Sequence, residues 1–320
     1  AMTGLDLGEK FNTSSVTNMN SMFEETGYTA MTSLDLGGNF NTVKVTNMNA
    51  MFYRTGRTAM TTLNLGSNFD TTNVTDMKSM FEETGFTAMT KLDLGDKFNT
   101  SKVTNMSAMF TWMGALTTLN LRDKFDTSNV KDMGWMFSGS QATALDLSNF
   151  NTSNVSNMQS MFESSNATTI NISNFNTSKI TNMSTMFHNV KATILDLSSF
   201  DTRNVTNMSY MFHCTGTSVM TSLDLGDKFY TTSATNMQNM FYQLGTNAMT
   251  LLDLGPAFTN VSSTNTNMLK TLNNTNIYTG TAIYSNENAV RLNFIIHIMF
   301  LALFEMRNYN VLCGGAKWTI

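Results

Sequence analysis

Three histidines, His188, His213 and His297, are the residues of this 320-residue chain whose chemistry best suits catalysis or metal binding. None of them belongs to a Ser-His-Asp grouping or an HExxH motif, and no phosphate-binding loop accompanies them. His188 and His213 follow Met-Phe in successive repeats, so we expect them to lie close together, but two histidines without a third ligand make a weak metal site. The sequence therefore predicts a non-enzymatic protein with no catalytic residue, no cofactor and no bound metal.

Methionine is the second candidate for chemistry, because 28 methionines occur and most of them belong to a recurring Met-x-x-Met-Phe pattern. Thioethers are soft ligands that suit copper(I). Stacked methionine and phenylalanine at this spacing also make a core, because the flexible methionine side chain fills irregular gaps. We interpret the pattern as core.

A carboxylate or an amide recurs ten times in the centre of an apolar–polar–apolar triplet such as Leu34-Asp35-Leu36. Between Asp35 and Asp196 acids and amides alternate, which separates carboxylates that would otherwise repel by roughly 1 kcal/mol per pair. We interpret this column as a solvated, stabilising ladder, with a strip that binds cations or a ligand as the alternative. Its members are Asp6, Asp35, Asn64, Asp93, Asn120, Asp146, Asn171, Asp196, Asp224 and Asp253.

The triplets recur because the chain is a tandem repeat. They begin 25 to 29 residues apart, a period typical of solenoids, in which each unit stacks on the previous one. Their alternating polarity predicts short strands that pair in parallel. Between strands, Val45, Met48, Met51 and Phe52 fall at i, i+3, i+6 and i+7, which predicts a short helix with one buried face. The predicted fold is an α/β repeat solenoid, with a parallel sheet of short strands and short helices on the opposite side.

Variation in repeat length is confined to one connection. The step from the phenylalanine of Met-Phe to the next strand is 11 residues in long repeats, such as Phe23 to Leu34, and 8 in short ones, such as Phe162 to Ile170. Insertions collect where a surface is free of packing, and exposed loops with aromatic residues suit contact with a partner. Tyr28, Arg57 and Phe86 therefore join the acid and amide column as the candidate binding face.

A threonine stands three residues before every acid or amide of the column, from Thr3 to Thr250. Strand alternation predicts that it points inward with the leucines, as a buried hydroxyl ladder. Regular exposed threonines would suit an ice or crystal lattice, so the predicted inward orientation argues against that function.

Domain limits follow from the decay of the repeat. Residues 1–275 are predicted to form the solenoid of about ten repeats, 276–293 a closing segment, and 294–320 an apolar tail that is either a cap or non-native sequence. Its largely apolar run, Phe294 to Phe304, has eleven residues and is too short to span a membrane, which needs about 20 apolar residues. A charged fraction of 13% and a net charge of −4 argue against a nucleic-acid partner. Because the chain opens inside a repeat without a signal peptide, we expect a fragment of a longer protein.

The unit from Leu195 to Phe212, Leu-Asp-Leu-Ser-x-Phe-x-Thr-x-Asn-Val-Thr-Asn-Met-Ser-x-Met-Phe, resembles a repeat of bacterial surface proteins. These are the BspA-like leucine-rich-repeat group and the lipoprotein repeats of Listeria and mycoplasmas. Cys214 sits where that family often has a cysteine. The resemblance covers residues 1–272 and implies a leucine-rich-repeat-like solenoid on cell-surface or secreted proteins, without catalytic residues.

The predicted function is therefore a non-enzymatic binding or adhesion module, exposed at the cell surface or secreted, whose partner is a protein or a glycan on another surface. The alternatives are a structural spacer and a solenoid that binds cations, ice or crystal surfaces.

Overall fold

The computed structural model describes residues 2–8, 11–119, 121, 124–246, 248–259, 267–269, 272, 276–278 and 283–284. Within them one coil is repeated along the chain. Most coils contribute a strand of two or three residues, and the coil around Leu195 contributes a single bridge from Ile194 to Thr169. The strands are β1 (Gly4–Asp6), β2 (Ser33–Asp35), β3 (Thr62–Asn64), β4 (Lys91–Leu92), β5 (Thr118–Leu119), β6 (Ala144–Asp146), β7 (Thr169–Asn171), β8 (Ser222–Asp224), β9 (Leu251–Asp253), β10 (Asn276–Tyr278) and β11 (Ile283–Tyr284).

The strands pair in parallel, with the triplets in register, in four groups: β1–β2–β3, β4–β5, β6–β7 and β8–β9–β10. Leu5 lies opposite Leu34, and Leu34 lies opposite Leu63. Strands β8, β9 and β10 continue this pattern, whereas β11 pairs antiparallel with β10. The predicted closing segment, 276–293, is described only at β10 and β11, and the predicted tail, 294–320, lies outside the described residues.

The side of the coil opposite the strand contains no helix anywhere in the described residues, so the predicted α/β class with helices opposite the sheet is wrong. The protein is a parallel β-solenoid, and this side consists of consecutive tight turns. A second line of parallel bridges runs along it and joins nine successive coils, from Asn18 to Asn236.

Hydrogen bonding explains why these residues form no helix. The N–H groups of Met48, Ala50 and Phe52 donate to carbonyls of the next coil at 2.8–3.0 Å. The N–H of Met51, between them, closes a turn to the carbonyl of Met48 at 3.2 Å. In an α-helix every N–H bonds four residues back within its own segment. Ala50 also has a φ of +53°, which lies outside the right-handed helical region.

Apolar side chains from every coil fill the interior as one continuous stack. Val45, Met48, Met51 and Phe52 are fully buried, so their predicted inward orientation is confirmed. The ring of Phe52 lies 5.5 Å from the equivalent ring of the previous coil and 5.5 Å from that of the next coil. Offset stacking of this kind adds to the free energy gained by burying the rings. The Met-x-x-Met-Phe pattern is therefore core.

The threonines form two columns, one exposed and one buried, and the buried one is not the column that the sequence predicted. The column from Thr3 to Thr250 is exposed, so its predicted inward orientation is wrong, and the residue before it, such as Met31, faces inward instead. A column of buried hydroxyls is instead formed by the threonine two residues after the first phenylalanine of each coil. Thr42 Oγ1 donates to the carbonyl of Asp70 and accepts the N–H of Asp70, both at 2.7 Å. The buried column comprises Thr13, Thr42, Thr71, Thr100, Thr127, Thr152, Thr177, Thr202 and Thr231.

Candidate functional site

The acid and amide column lies on the outward face of the strands and terminates them. The N–H of Gly37 donates to Asp35 Oδ1 at 2.8 Å, and the N–H of Gly66 donates to Asn64 Oδ1 at 3.0 Å. Gly37 has a φ of +68°, so the side-chain oxygen stabilises a left-handed turn at the end of the strand. Acids and amides both supply this oxygen, which explains why they interchange. Asn120 lies outside the described residues.

Contacts along the column are local. Asn171 Nδ2 donates to Asp146 Oδ1 at 2.9 Å. Hydrogen bonds from the hydroxyl and N–H of Ser148, together with this amide, lower the pKa of Asp146. At the other end burial raises the pKa of Asp253, and Asp224 adds to the effect. In the part of the chain that the structure describes, no three His, Cys, Asp or Glu side chains are arranged to hold a metal ion.

The long connections form two ridges along one edge of the solenoid. We call residues 27–30, 56–59 and 85–88 the first ridge, and residues 216–219 and 245–246 the second ridge. Bonds between coils continue on both sides of the first ridge, from Gly56 N to Thr26 O and from Thr61 N to Thr32 O, each at 2.9 Å. The additional residues of a long connection therefore project outward.

Short connections make the edge lower between the two ridges. We call this part, residues 138–142, 163–167 and 188–192, the saddle. Bonds between coils persist through it, from Asn166 N to Ser140 O at 2.8 Å and from Lys191 N to Ser165 O at 3.1 Å. The coil backbone is thus continuous, and the saddle lacks only the projecting residues.

Arg57 lies between two aromatic rings of the first ridge. Its guanidinium carbon is 4.5 Å from the ring centre of Phe86 and 5.7 Å from that of Tyr28. A guanidinium group at this distance from a ring face is attracted to its negative potential. The structure therefore brings together the three predicted loop residues, one from each of three successive coils.

Carboxylates on the neighbouring part of the coil hold the arginine of the first ridge in position. Glu83, with 12% of its side chain exposed, accepts hydrogen bonds from Arg57 and from Arg54. Arg54 also lies 3.4 Å from Glu25. Two carboxylates and two guanidinium groups thus neutralise one another across four positions of the first ridge and its flank.

His188 and His213 stack with their ring centres 4.8 Å apart, so their predicted proximity is confirmed. His188 Nδ1 lies 3.1 Å from Glu163 Oε1, and Tyr242 stacks on the other side of His213 at 5.3 Å. The hydrogen bond with His188 lowers the pKa of Glu163. Burial lowers the pKa of His213, and His188 adds to this effect.

Sequence reasoning missed Trp112, which lies where the first ridge descends to the saddle. A Cβ on Gly139 of the next coil would come within 2.4 Å of the Trp112 ring, and a Cβ on Gly114 would come within 2.5 Å of the Phe86 ring. Each aromatic thus lies on a glycine one coil later. An aromatic residue followed by glycine at one repeat length is the signal that would have found both contacts.

A family model described as "Mycoplasma protein of unknown function, DUF285" matches residues 5–88, 84–194 and 164–276. The three overlapping matches cover more than half of the chain and include both ridges and the saddle. They support the mycoplasma part of the resemblance, and nothing in them points to the BspA-like or Listeria proteins. No curated protein and no solved structure matches the chain. Within the residues that the structure describes, no helix has the length and apolar character of a membrane span.

Proposed function

The chain belongs to the DUF285 family of repeat proteins, and from that premise we propose that it is a non-enzymatic binding module that contacts a protein or a glycan on another surface. The observation that carries the proposal is the first ridge, in which Arg57 is held between Tyr28 and Phe86. Arginine and tyrosine are enriched among the residues that contribute most to binding energy at interfaces.

Contacts within the chain hold the side chains of the first ridge in place. Glu83 fixes the guanidinium group of Arg57, and Thr58 Oγ1 donates to the carbonyl of Thr29 in the previous coil at 2.8 Å. Side chains that are already fixed lose less conformational entropy on binding, which leaves more of the contact energy for affinity. A rigid scaffold carrying a projecting, partly aromatic edge is suited to contact with a second surface.

We further propose that the module acts at the cell surface or in secreted form. The support is the resemblance of its repeat to those of bacterial surface proteins. An antibody against the chain should stain intact source cells, and an added protease should remove the stain. Staining that appears only after the cells are permeabilised would contradict this location.

The binding proposal is tested by coating beads with the chain and measuring their adhesion to cultured animal cells and to matrix-coated wells. We expect the double variant Tyr28→Ala, Phe86→Ala to reduce adhesion at least about tenfold, as loss of central contact residues does. Its melting temperature should change little, because both side chains lie at the edge of the core.

The matched control is Tyr230→Ala. Tyr230 also carries an arginine over its ring, with the Arg203 guanidinium carbon 5.5 Å from the ring centre, but it lies outside the first ridge. This control should adhere like the parent chain. Equal losses of adhesion in both variants, or a loss of adhesion that follows a loss of folding, would remove the first ridge as the contact surface.

Lattice binding is the second candidate function because the threonine column from Thr3 to Thr250 is exposed. Its hydroxyls are oriented alike, since Thr168 Oγ1 donates to the carbonyl of Thr143 at 3.2 Å and Thr193 Oγ1 to that of Thr168 at 3.3 Å. A thermal-hysteresis assay tests this function, and absence of hysteresis at millimolar protein would exclude ice as the ligand.

A further inference from the structure

Trp112 presents one face of its indole ring to solvent at the first-ridge end of the saddle. The other face lies on Gly139, as a Cβ there would meet three ring atoms at 2.4–3.0 Å. The residue nevertheless keeps 41% of its surface exposed. Because the inner face rests on backbone, the ring is a fixed apolar platform.

Amide side chains continue from this platform along the saddle. Gln141 Nε2 donates to the carbonyl of Gly139 at 3.3 Å, and Gln141 Oε1 accepts a hydrogen bond from Asn166 Nδ2. In the neighbouring row Asn189 Nδ2 donates to Ser164 Oγ at 3.3 Å. Each amide nitrogen carries two N–H donors. One donor on each of these three amides is therefore still available to a ligand.

The shape of the saddle suits an elongated ligand. Its three coils have connections of 8 residues, against 11 in the ridges on either side. At a strand spacing of about 4.8 Å the three coils extend over about 14 Å. The second ridge bounds the far end, where Val219 is 47% exposed.

We propose that the saddle binds a neutral oligosaccharide, with one sugar ring stacked on Trp112 and the hydroxyl groups of neighbouring sugars bonded to Gln141, Asn166 and Asn189. A sugar ring has an apolar C–H face and a rim of hydroxyl groups that donate and accept hydrogen bonds. An aromatic platform with a few fixed polar groups, between two projecting ridges, complements both properties.

The charges of the saddle favour a neutral ligand over an anionic one. Glu163 and His188 are paired with each other, and Lys191 lies at the far end, two coils from Gly139. Binding of phosphate or carboxylate groups typically uses arginine pairs or clusters of cations. The described residues of the saddle contain no such cluster. This proposal deepens the proposed binding function and rests on it.

The test is titration of the chain with maltotetraose, chitotetraose and lacto-N-tetraose, followed by tryptophan fluorescence and calorimetry. We expect at least one of them to bind, to shift the emission and to protect Trp112 from acrylamide quenching. Trp112→Ala should raise the dissociation constant about tenfold or more, as loss of a stacked ring does. Absence of binding by all three at millimolar concentration overturns the proposal.

Second variants keep the test decisive if Trp112→Ala folds poorly. Asn166→Asp keeps the size of the side chain but removes its N–H donors, so it should weaken binding while the far-ultraviolet spectrum stays unchanged. Tyr230→Ala removes an aromatic that lies outside both the first ridge and the saddle, and it should leave oligosaccharide affinity unaltered. Unchanged affinity in Asn166→Asp, or an equal loss in Tyr230→Ala, assigns the ligand to another surface and overturns the proposal.

Bead adhesion separates this proposal from the broader one. If cells stripped of surface glycans by glycosidases lose adhesion to the parent chain, the oligosaccharide is supported. If adhesion persists on stripped cells and still depends on Trp112, the saddle binds a polypeptide and the oligosaccharide proposal fails, whereas the binding function stands. If the chain adheres to nothing, the binding function itself fails.

Discussion

The hydroxyl group of Thr71 serves the backbone of the next coil twice: it donates to the carbonyl of Asn99 and accepts the N–H of Asn99, each at 2.7 Å. Thr71 is fully buried, so both groups of Asn99 depend on this one side chain. Thr71→Val should therefore lower the free energy of unfolding by about 1–3 kcal/mol, as unsatisfied buried polar groups do.

Two variants serve as controls for this prediction. Thr71→Ser keeps the hydroxyl and should lose less than Thr71→Val. Thr61→Val, in the exposed column, should stay within about 0.5 kcal/mol of the parent chain. Urea denaturation monitored by fluorescence measures all three. Equal losses at Thr61 and Thr71 would contradict the distinction between the buried and the exposed column.

Ala108 distinguishes turns from a helix, because its φ is +57°. A left-handed conformation costs an alanine about 1–2 kcal/mol, and glycine avoids this cost although it loses some entropy on folding. Ala108→Gly should therefore raise the free energy of unfolding by about 0.5–1 kcal/mol. In a helix the same change would lower it by about 1 kcal/mol. The sign of the shift in the urea midpoint decides between a turn and a helix at Ala108. The control is Ala88→Gly, which lies outside the left-handed positions and should be destabilising.

Phe162 lies between two other rings, with its centre 6.0 Å from Phe137 and 5.6 Å from Phe187, and it is fully buried. Phe162→Ala should cost about 3–5 kcal/mol. Since each coil contacts only its neighbours, the two halves should then unfold less cooperatively. Calorimetry should show a broader transition, and Phe162→Leu a smaller change. An unchanged melting curve would contradict the stacked core.

Asp35 is predicted to act through its oxygen and not through its charge, because Oδ1 accepts the N–H of Gly37. Asp35→Asn should be nearly neutral, whereas Asp35→Ala should cost about 1 kcal/mol, the net value of one hydrogen bond. Calcium should change the melting temperature no more than sodium at equal ionic strength. A shift specific to calcium would identify the column as a cation site.

His213 makes folding depend on pH, because burial and the neighbouring His188 lower its pKa below the ordinary value. The unfolded chain then binds a proton more readily than the folded chain does. The stability contributed by neutral His213 is complete above a pH of about 6.5, the pKa of an unperturbed histidine, and is lost as the pH falls below it.

His213→Phe is the control for this dependence, because it keeps a ring between His188 and Tyr242. The variant should lose the change in melting temperature near neutral pH. It should keep the loss at more acidic pH, where Glu163, whose pKa is lowered by its hydrogen bond with His188, becomes protonated. A parent chain whose stability is constant from pH 7 to 5 would contradict the assignment.

The strands, their parallel register and the buried stripe were predictable because a period of 25 to 29 residues aligns the same residue types in every coil. The backbone opposite the strands was not. Val45, Met48, Met51 and Phe52 face inward from a helix and equally from a series of turns, so their spacing does not discriminate. The left-handed positions would have done so, but most of them hold residues such as Ala50, Ser79 and Trp135, which give no glycine or asparagine signal. Only the last two of the equivalent positions described hold asparagine, Asn239 and Asn267.

The diameter of an α-helix, compared with the spacing between coils, explains why turns replace a helix. An α-helix with its side chains is about 10 Å across, whereas paired strands lie about 4.8 Å apart. Coils with a helix on one side would have to spread on that side. Here Ala50 N reaches Lys78 O at 2.8 Å, so both sides keep strand spacing.

The candidate site was predictable only in part. Tyr28, Arg57 and Phe86 could be found because they occupy corresponding positions of long connections. Trp112 was missed, because the contact that marks it is with Gly139 in the following coil. A search restricted to one repeat does not compare these two residues.

The short coils of the saddle also determine the distance between the first and the second ridge. Strands β6 and β7 begin 25 residues apart, and each coil joins its neighbours through the same backbone bonds. Unequal exchange between adjacent repeats of the gene would therefore add or remove one coil and leave both junctions intact. Each event would move the two ridges apart or together by about 4.8 Å. The number of short coils therefore determines the distance between the first and the second ridge. Adding or removing short coils would change this distance in steps and leave the ridges themselves the same.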